Sequence, residues 1–442
     1  MASPALPDDR FLDSYASFES YPLNLVLKGS YGLAKLREVR ERIRKQGRYI
    51  FVQDDSTSIY VRDVGHDGLP ESQYLVSDRE IKDWLGDTSA SRVNRARLAT
   101  KADPRCRFVF FLAGPPKLPY QISTKSASRI LSYHQVSPYF FDFLDAHLTP
   151  TASERELRFS GFRAEGYLAQ PQPSAIPPGL GRSRQRYQLN FNLKTVVCKK
   201  DVWNVQQVAI HHQFDVGTGI QLWIYGDAHD FMRDRIQDLV PDQETHPENF
   251  ENVSASFNSS LKIHLESARL CTEGWRLYIA DTEEAAAKVT ELFKHGRESR
   301  NYRLVTKDLL GAQWAEDTIN ETIMMLEFNV DYLESLSGLY RAIVEDDDFP
   351  EGERMLCREA VKTFSRQVLE LIYDMKMQMR RAKLGRDIMA SRKSTASFYL
   401  FIAQNQCALL TYLSSSISYR LKEKRIVYQN RPRRDAATQG DN

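Results

Sequence analysis

The chain has 442 residues, 42% hydrophobic and 27% charged, with 60 Lys and Arg against 58 Asp and Glu, a formal net charge of +2. These values exclude a wholly disordered or collagen-like chain and a polytopic membrane protein, and they give no overall basic excess to attract nucleic acid. At roughly 150 residues per domain, the length predicts two or three structural units with enough chain to bury a core unaided.

In chain order, Leu33 to Arg44 has helical periodicity. Arg48 to Val52 and Ser58 to Val61 read as strands joined across the turn-rich Asp54-Asp55-Ser56-Thr57. Ser77 or Asp78 caps a short helix through Trp84 and Leu85, and the apolar run Arg107 to Ala113 predicts a buried strand. Tyr187 to Lys194 alternates apolar and polar residues without a miss, the pattern of a sheet with one buried face. Val205 to Phe214 and Ile220 to Tyr225 flank Asp215-Val216-Gly217-Thr218-Gly219 and predict a hairpin, and Trp275 to Ala280 reads as a further strand. Residues 169–184 hold four Pro and two Gly, which predicts a flexible surface insertion.

From about residue 301 to 430 the pattern is helical. Ile319, Ile323, Leu326, Val330, Leu333, Ser337, Tyr340 and Val344 alternate spacings of 4 and 3, a heptad seam with one polar interruption. A second stripe runs Leu356, Ala360, Phe364, Val368, Leu371, Met375, Met379, Ala382. A third runs Leu400, Ala403, Cys407, Leu410, Ser414, Ile417, Leu421. Glu316 to Glu359 carries thirteen acids and three bases, while Lys376 to Lys393 and Arg420 to Arg434 each carry seven bases and one acid. Two readings fit: a cation-attracting limb opposed to a basic one, or complementary faces of a helical hairpin. The window Phe398 to Ile417 is long enough to span a bilayer and uncharged, but Gln404-Asn405-Gln406 lies near its middle. Unpaired amides are costly in hydrocarbon, so the window is expected to be a helix buried against protein. The residues 431–442 have the composition of a disordered basic tail.

The cysteines, Cys106, Cys198, Cys271, Cys357 and Cys407, form no CxxC pair. They fit a reducing compartment, each as a small buried hydrophobe, and the N-terminus lacks the pattern of a secretory signal. On a strand, His211 and His212 point to opposite faces and cannot share a metal, so one is expected buried and the other exposed. Asp227-Ala228-His229-Asp230 reads as a turn. Asp346, Asp347 and Asp348 are weak metal candidates on a solvated hairpin tip without the spacing of a calcium loop. Gly217-Thr218-Gly219 belongs to no phosphate loop, and no hydrolase, zincin or kinase signature occurs. No catalytic or cofactor-binding residue is therefore assigned.

Five tracts carry a family resemblance: Tyr133-His134-Gln135-Val136-Ser137-Pro138-Tyr139-Phe140-Phe141-Asp142-Phe143-Leu144; Phe159-Ser160-Gly161-Phe162-Arg163; Asn192-Leu193-Lys194; Trp203 through Asp215, with Gln207-Val208-Ala209-Ile210-His211-His212-Gln213-Phe214; and Leu222-Trp223-Ile224. Over about residues 20–280 the chain resembles fungal proteins with a CorA-like transporter domain. CorA-type magnesium channels join a soluble α/β domain to long helices, then two membrane helices with a Gly-Met-Asn signature, and this sequence contains no such triplet. The resemblance implies only the soluble portion.

The expected architecture is α+β: a mixed, largely antiparallel sheet flanked by helices over 1–300, then long coiled-coil-like helices over 301–430. The expected function is that of a cytoplasmic, non-enzymatic CorA-like protein related to magnesium transporters but not transport-competent alone. It would act through self-association or a CorA-like membrane partner, with membrane contact through the basic C-terminal segment. No nucleic acid, small-molecule substrate or cofactor is expected beyond weak magnesium binding. The alternative is an intracellular scaffold unrelated to ion transport.

Overall fold

A computed structural model describes residues 9–26, 31–53, 56–87, 100–113, 119–146, 158–169, 178–183, 185–226, 230–239, 247–295 and 306–429. The turn at Asp54-Asp55, the run Asp227-Ala228-His229 and the tail 431–442 lie outside them. The chain divides into two compact units, one of Met1–Ile279 with Glu321–Ala382, the other of Ala280–Asn320 with Lys383–Asn442.

The first unit is built on a seven-stranded sheet. Its strands are β2 (Ile59–Val64), β3 (Pro70–Leu75), β4 (Cys106–Phe111), β6 (Phe162–Tyr167), β7 (Arg186–Lys199), β8 (Val202–Asp215) and β9 (Gln221–Gly226). The order is β3-β2-β4-β9-β8-β7-β6, antiparallel except for the parallel pair β4–β9. The expected hairpin is present as β8–β9. The Asp215 carboxylate accepts from the Gly217 and Thr218 amides at 3.1 and 3.0 Å, which closes the turn before the backbone can reach sheet geometry. Two expected strands differ. Helix α2 (Leu33–Ile50) buries Leu36, Val39, Ile43, Gly47 and Ile50, so helical periodicity carries through Arg48 to Ile50 and leaves only β1 (Phe51–Val52). That short strand pairs in parallel with β5 (Tyr120–Ser123), not with the strand at Ser58. Trp275 to Ala280 is the start of helix α8 (Trp275–His295). Gly274 at φ +82° turns the chain out of α7 (Val253–Thr272) where an added Cβ would lie 2.8 Å from the Val196 carbonyl oxygen. Trp275, Ile279, Thr282 and Ala286 are then buried at helical spacing.

Both faces of the sheet are covered. On one side α1 (Asp9–Ala16), α2, α4 (Thr124–Tyr133) and α5 (Phe140–Asp145) enclose a core that includes Phe11, Val39, Ile130, Phe140, Val109 and Ile224. On the other side lie α7 and the second half of α9 (Thr306–Glu345), whose Tyr332 stacks on Phe191 at 4.4 Å and whose Tyr340 meets Tyr187 at 6.0 Å. This double cover overturns the one-faced reading of Tyr187 to Lys194. Gln188, Asn190, Asn192 and Lys194 are as buried as Tyr187, Leu189, Phe191 and Leu193 between them.

All eight positions of the first heptad seam, Ile319 to Val344, are buried. The second stripe is set one residue off at its start and centre. In α10 (Glu351–Gln429) the buried positions among the described residues are Cys357, Val361, Phe364, Val368, Ile372, Met375, Ala382 and Met389, and Leu356 is 58% exposed. The third stripe is not covered where it is described: Leu410, Ile417 and Leu421 are 65%, 58% and 62% exposed. The window Phe398 to Ile417 is helical, but its described apolar side chains are not buried against protein within this chain. Among the described residues no helix is long and apolar enough to cross a membrane. Cys106, Cys271 and Cys357 are buried as expected, whereas Cys198, near the outer end of β7, is exposed.

Candidate functional site

The tracts that carry the family resemblance converge on one buried polar seam, between β7–β8 and the irregular chain at 134–139 and 158–161. Irregular backbone under a sheet must find hydrogen-bond partners or lose the desolvation energy of each unpaired group. The polar row of β7 supplies them. Gln188 accepts from the Ser137 amide at 2.9 Å and donates to the Gln135 carbonyl at 3.1 Å. Asn192 accepts from the Gly161 amide at 3.2 Å and donates to the Phe159 carbonyl at 3.0 Å, and the Lys194 ammonium donates to the same carbonyl at 2.6 Å and to Gln207. The seam is thus an internal fastening of loops to sheet.

His211 and His212 do point to opposite faces, as the strand reading requires, but both are fully buried rather than one exposed. His211 donates from Nδ1 to the Asn190 side-chain amide oxygen, Oδ1, at 2.8 Å, on the α5 side. On the α7 side, His212 stacks on Trp223 at 3.9 Å and lies 3.1 Å from His264, Nδ1 to Nε2, with Tyr332 and Tyr340 hydroxyls at 3.5 Å from the pair. Burial lowers the pKa of His211 and His264 to about 3, and burial with the nearby His264 and His211 rings lowers that of His212 well below its usual value. These rings are neutral core groups at neutral pH. Their partners are amides, hydroxyls and other rings, a set that hydrogen-bonds but brings no carboxylate to hold a cation.

At one end of the seam the chemistry is cationic. Arg107 on β4 holds Asp63 through two bonds of 2.9 and 2.8 Å and lies over the Trp84 ring. Arg182 reaches Asp103 at 2.5 Å and the Tyr133 carbonyl at 2.8 Å. Part of the Pro-rich insertion is therefore anchored: Leu180 is fully buried, and its carbonyl accepts from the Asp103 amide at 3.2 Å. His134 sits beside Arg107, its Nε2 3.4 Å from that guanidinium. Burial and the Arg107 and Arg182 charges keep it neutral, with a pKa well below the usual value. No spacing signal in the sequence joins Arg107 to Arg182, because they come from two separate segments.

Asp346, Asp347 and Asp348 lie exposed on the tip between α9 and α10, where the Arg354 guanidinium donates to the carbonyls of Asp346, Asp347 and Phe349. No group of three or more His, Cys, Asp or Glu among the described residues is placed to hold a metal ion. Carboxylate crowding is instead felt on α9. There, partial burial and the neighbouring Glu334 and Glu327 raise the pKa of Asp331. Arg358–Glu345 at 2.6 Å and Lys376–Glu334 at 2.7 Å link α10 to α9 within the first unit, and Lys393–Glu316 does so in the second. The opposed charges thus pair across the hairpin, as the second reading of the charge pattern expects. Exposed pairs such as Arg358–Glu345 each contribute little, because water and salt screen them. Millimolar magnesium is expected to raise the melting temperature by only about 1–2 °C, equally with calcium, and less in high monovalent salt. Differential scanning fluorimetry of the full chain checks this. Changing Asp346, Asp347 and Asp348 together to Asn should remove only part of the rise, and a magnesium-selective rise abolished by that change would contradict the reading.

The CorA-like transporter family model matches residues 13–294, a span that includes the sheet and the polar seam. Among solved structures, the complete CorA magnesium transporter of Methanocaldococcus jannaschii aligns at 10% identity over 86% of this chain and 88% of its own, with a TM-score of 0.37. The soluble domain of CorA from the same organism aligns at 12% identity over 66% and 87%, with a TM-score of 0.32. The ZntB cytoplasmic domain of Vibrio parahaemolyticus RIMD 2210633 aligns at 8% identity over 75% and 99%, with a TM-score of 0.27. No curated protein matches the sequence. The sequence match covers well over half of the chain, and on it the chain belongs to the CorA-like transporter family.

Proposed function

We propose that this chain, with tracts resembling those of fungal CorA-like proteins, works at the cytoplasmic side of a membrane as a non-enzymatic assembly module. It associates with itself or with a membrane-embedded relative, and that relative, not this chain alone, carries the path for divalent cations. The carrying observation is the apolar surface along α10. Leu369, Tyr373 and Leu384, then Phe401, Leu410, Ile417 and Leu421, are each at least 58% exposed. Of these, Leu410, Ile417 and Leu421 lie on the near-heptad third stripe, and such a stripe, left uncovered by the described residues, favours a partner helix. The bases Arg420, Lys422, Lys424 and Arg425 follow directly and favour anionic lipid headgroups near the same end.

Leu410→Asp with Ile417→Asp tests the proposal. Both side chains are exposed, so the fold should hold, with a change within about 0.5 kcal/mol. The mass of the full chain by sedimentation equilibrium should fall from an oligomer toward a monomer, or capture of the membrane relative should be lost. A wild-type monomer that captures no such relative would sink the proposal. So would carbonate-resistant pelleting with membranes, which would place this end of α10 in the bilayer.

A further inference from the structure

Beside the seam lies a cavity of about 20 Å³, walled by Arg107, Arg182, Arg186 and His134 and by the carboxylates of Asp103 and Asp215. Of the three guanidinium groups, Arg107 is taken up by Asp63. Asp103 is taken up by Arg182, and Asp215 by the Ser183, Gly217 and Thr218 amides and the Ser183 hydroxyl. Arg186, 2% exposed, has no carboxylate within ion-pair distance among the described residues; it donates to the carbonyls of His134 and Gln135, both at 3.4 Å. The Gln213 amide, turned with its oxygen toward Arg186, accepts a further bond at 3.1 Å. Among the described residues two donors of the wall have no partner, Nη2 of Arg182 and Nε of Arg186.

The size and the polarity of the cavity select the occupant. Its volume suits one water or one monatomic ion and is too small for a phosphate or a carboxylate ligand. A water would have to share the already engaged carboxylates of Asp103 and Asp215 as acceptors for its protons, whereas the unmet groups of this wall, among the described residues, are donors. A buried guanidinium without a counter-charge is costly, and an acceptor-only anion offsets that cost. We propose that this cavity binds a single monatomic anion, chloride under ordinary salt conditions, held by Arg182 Nη2 and Arg186 Nε. The site fastens β4, the start of β7 and the β8–β9 turn to the anchored end of the Pro-rich insertion. It is independent of the α10 surface.

Crystals of the full chain grown in sodium bromide test this directly. The expected result is an anomalous bromide peak in contact with both nitrogens. Peaks confined to the protein surface, with water or nothing in the cavity, would overturn it. In solution, replacing gluconate by chloride or bromide at constant ionic strength should raise the melting temperature saturably, by about 1–3 °C at ten times the Kd. An equal response to gluconate would overturn the site, because it would show general screening. Arg186→Met should abolish the halide dependence, and a variant that folds and keeps it would exclude Arg186 as the ligand.

Discussion

Acidification from about pH 7.5 to about pH 5 is expected to remove several kcal/mol of folding stability, through histidines that the native state holds neutral. His134, His211, His212 and His264 are all buried, and burial is the largest cause of the lowered pKa of each. A histidine lowered from 6.5 in the unfolded chain to about 3 in the fold binds no proton when native at pH 5, but one when unfolded. The stability from such a group is fully present above about 6.5 and is lost as pH falls toward 3. At pH 5, about 1.5 units below the unfolded value, the loss is about 2 kcal/mol per ring. Glu165 opposes this. Burial raises its pKa from 4.5 to about 7, so its protonation favours the fold over the same interval. Its partial exposure limits that gain to about 1 kcal/mol. Urea unfolding at both pH values should show a clear fall in the midpoint, with roughly three to four protons taken up on unfolding below pH 6. His264→Phe, a ring of similar shape among Phe191, Trp223 and Tyr340, should reduce the pH slope by about one proton. A midpoint that ignores pH over this range would show that these rings are not neutral and buried together.

Leu326→Asp is expected to unfold the first unit instead of dissociating an assembly. Heptad spacing alone allows Leu326 and Leu333 either to pair with another copy or to pack in a bundle within the chain. In the fold they are 0% and 1% exposed within their own chain. A carboxylate at Leu326 loses the burial of a leucine and places an unpaired charge in the core, at a cost of about 5 kcal/mol or more, comparable with the whole stability of many domains. Circular dichroism and limited proteolysis should report loss of structure for Leu326→Asp. The same change at Leu410, 65% exposed, should leave both unchanged. A folded Leu326→Asp protein of reduced mass would restore the interface reading and contradict the packing of α9 against the sheet.

Periodicity by itself determined which residues share a face. The row from Ile319 to Val344 is buried at every position, and the β8–β9 hairpin forms where Asp215 and its glycines require a turn. The family was also legible, because tracts such as Tyr133 to Leu144 are contiguous in the chain. Periodicity does not say what comes to lie on a face. The polar row Gln188, Asn190, Asn192, Lys194 reads as solvent-facing until chain from 134–139 and 158–161 arrives with backbone groups that need those side chains. His212 is buried for the same reason, with α7 bringing His264 and α9 bringing Tyr340 to it. The strand reading of Trp275 to Ala280 failed because a short apolar run fits either period, and the helix-forming residues that decide it lie downstream. The arginine cavity depends on Arg107, Arg182 and Arg186, which only the sheet order and the anchored insertion bring together. Local pattern follows from side-chain spacing along one segment, whereas burial and charge balance follow from segments far apart in the chain, and these only the tertiary structure decided.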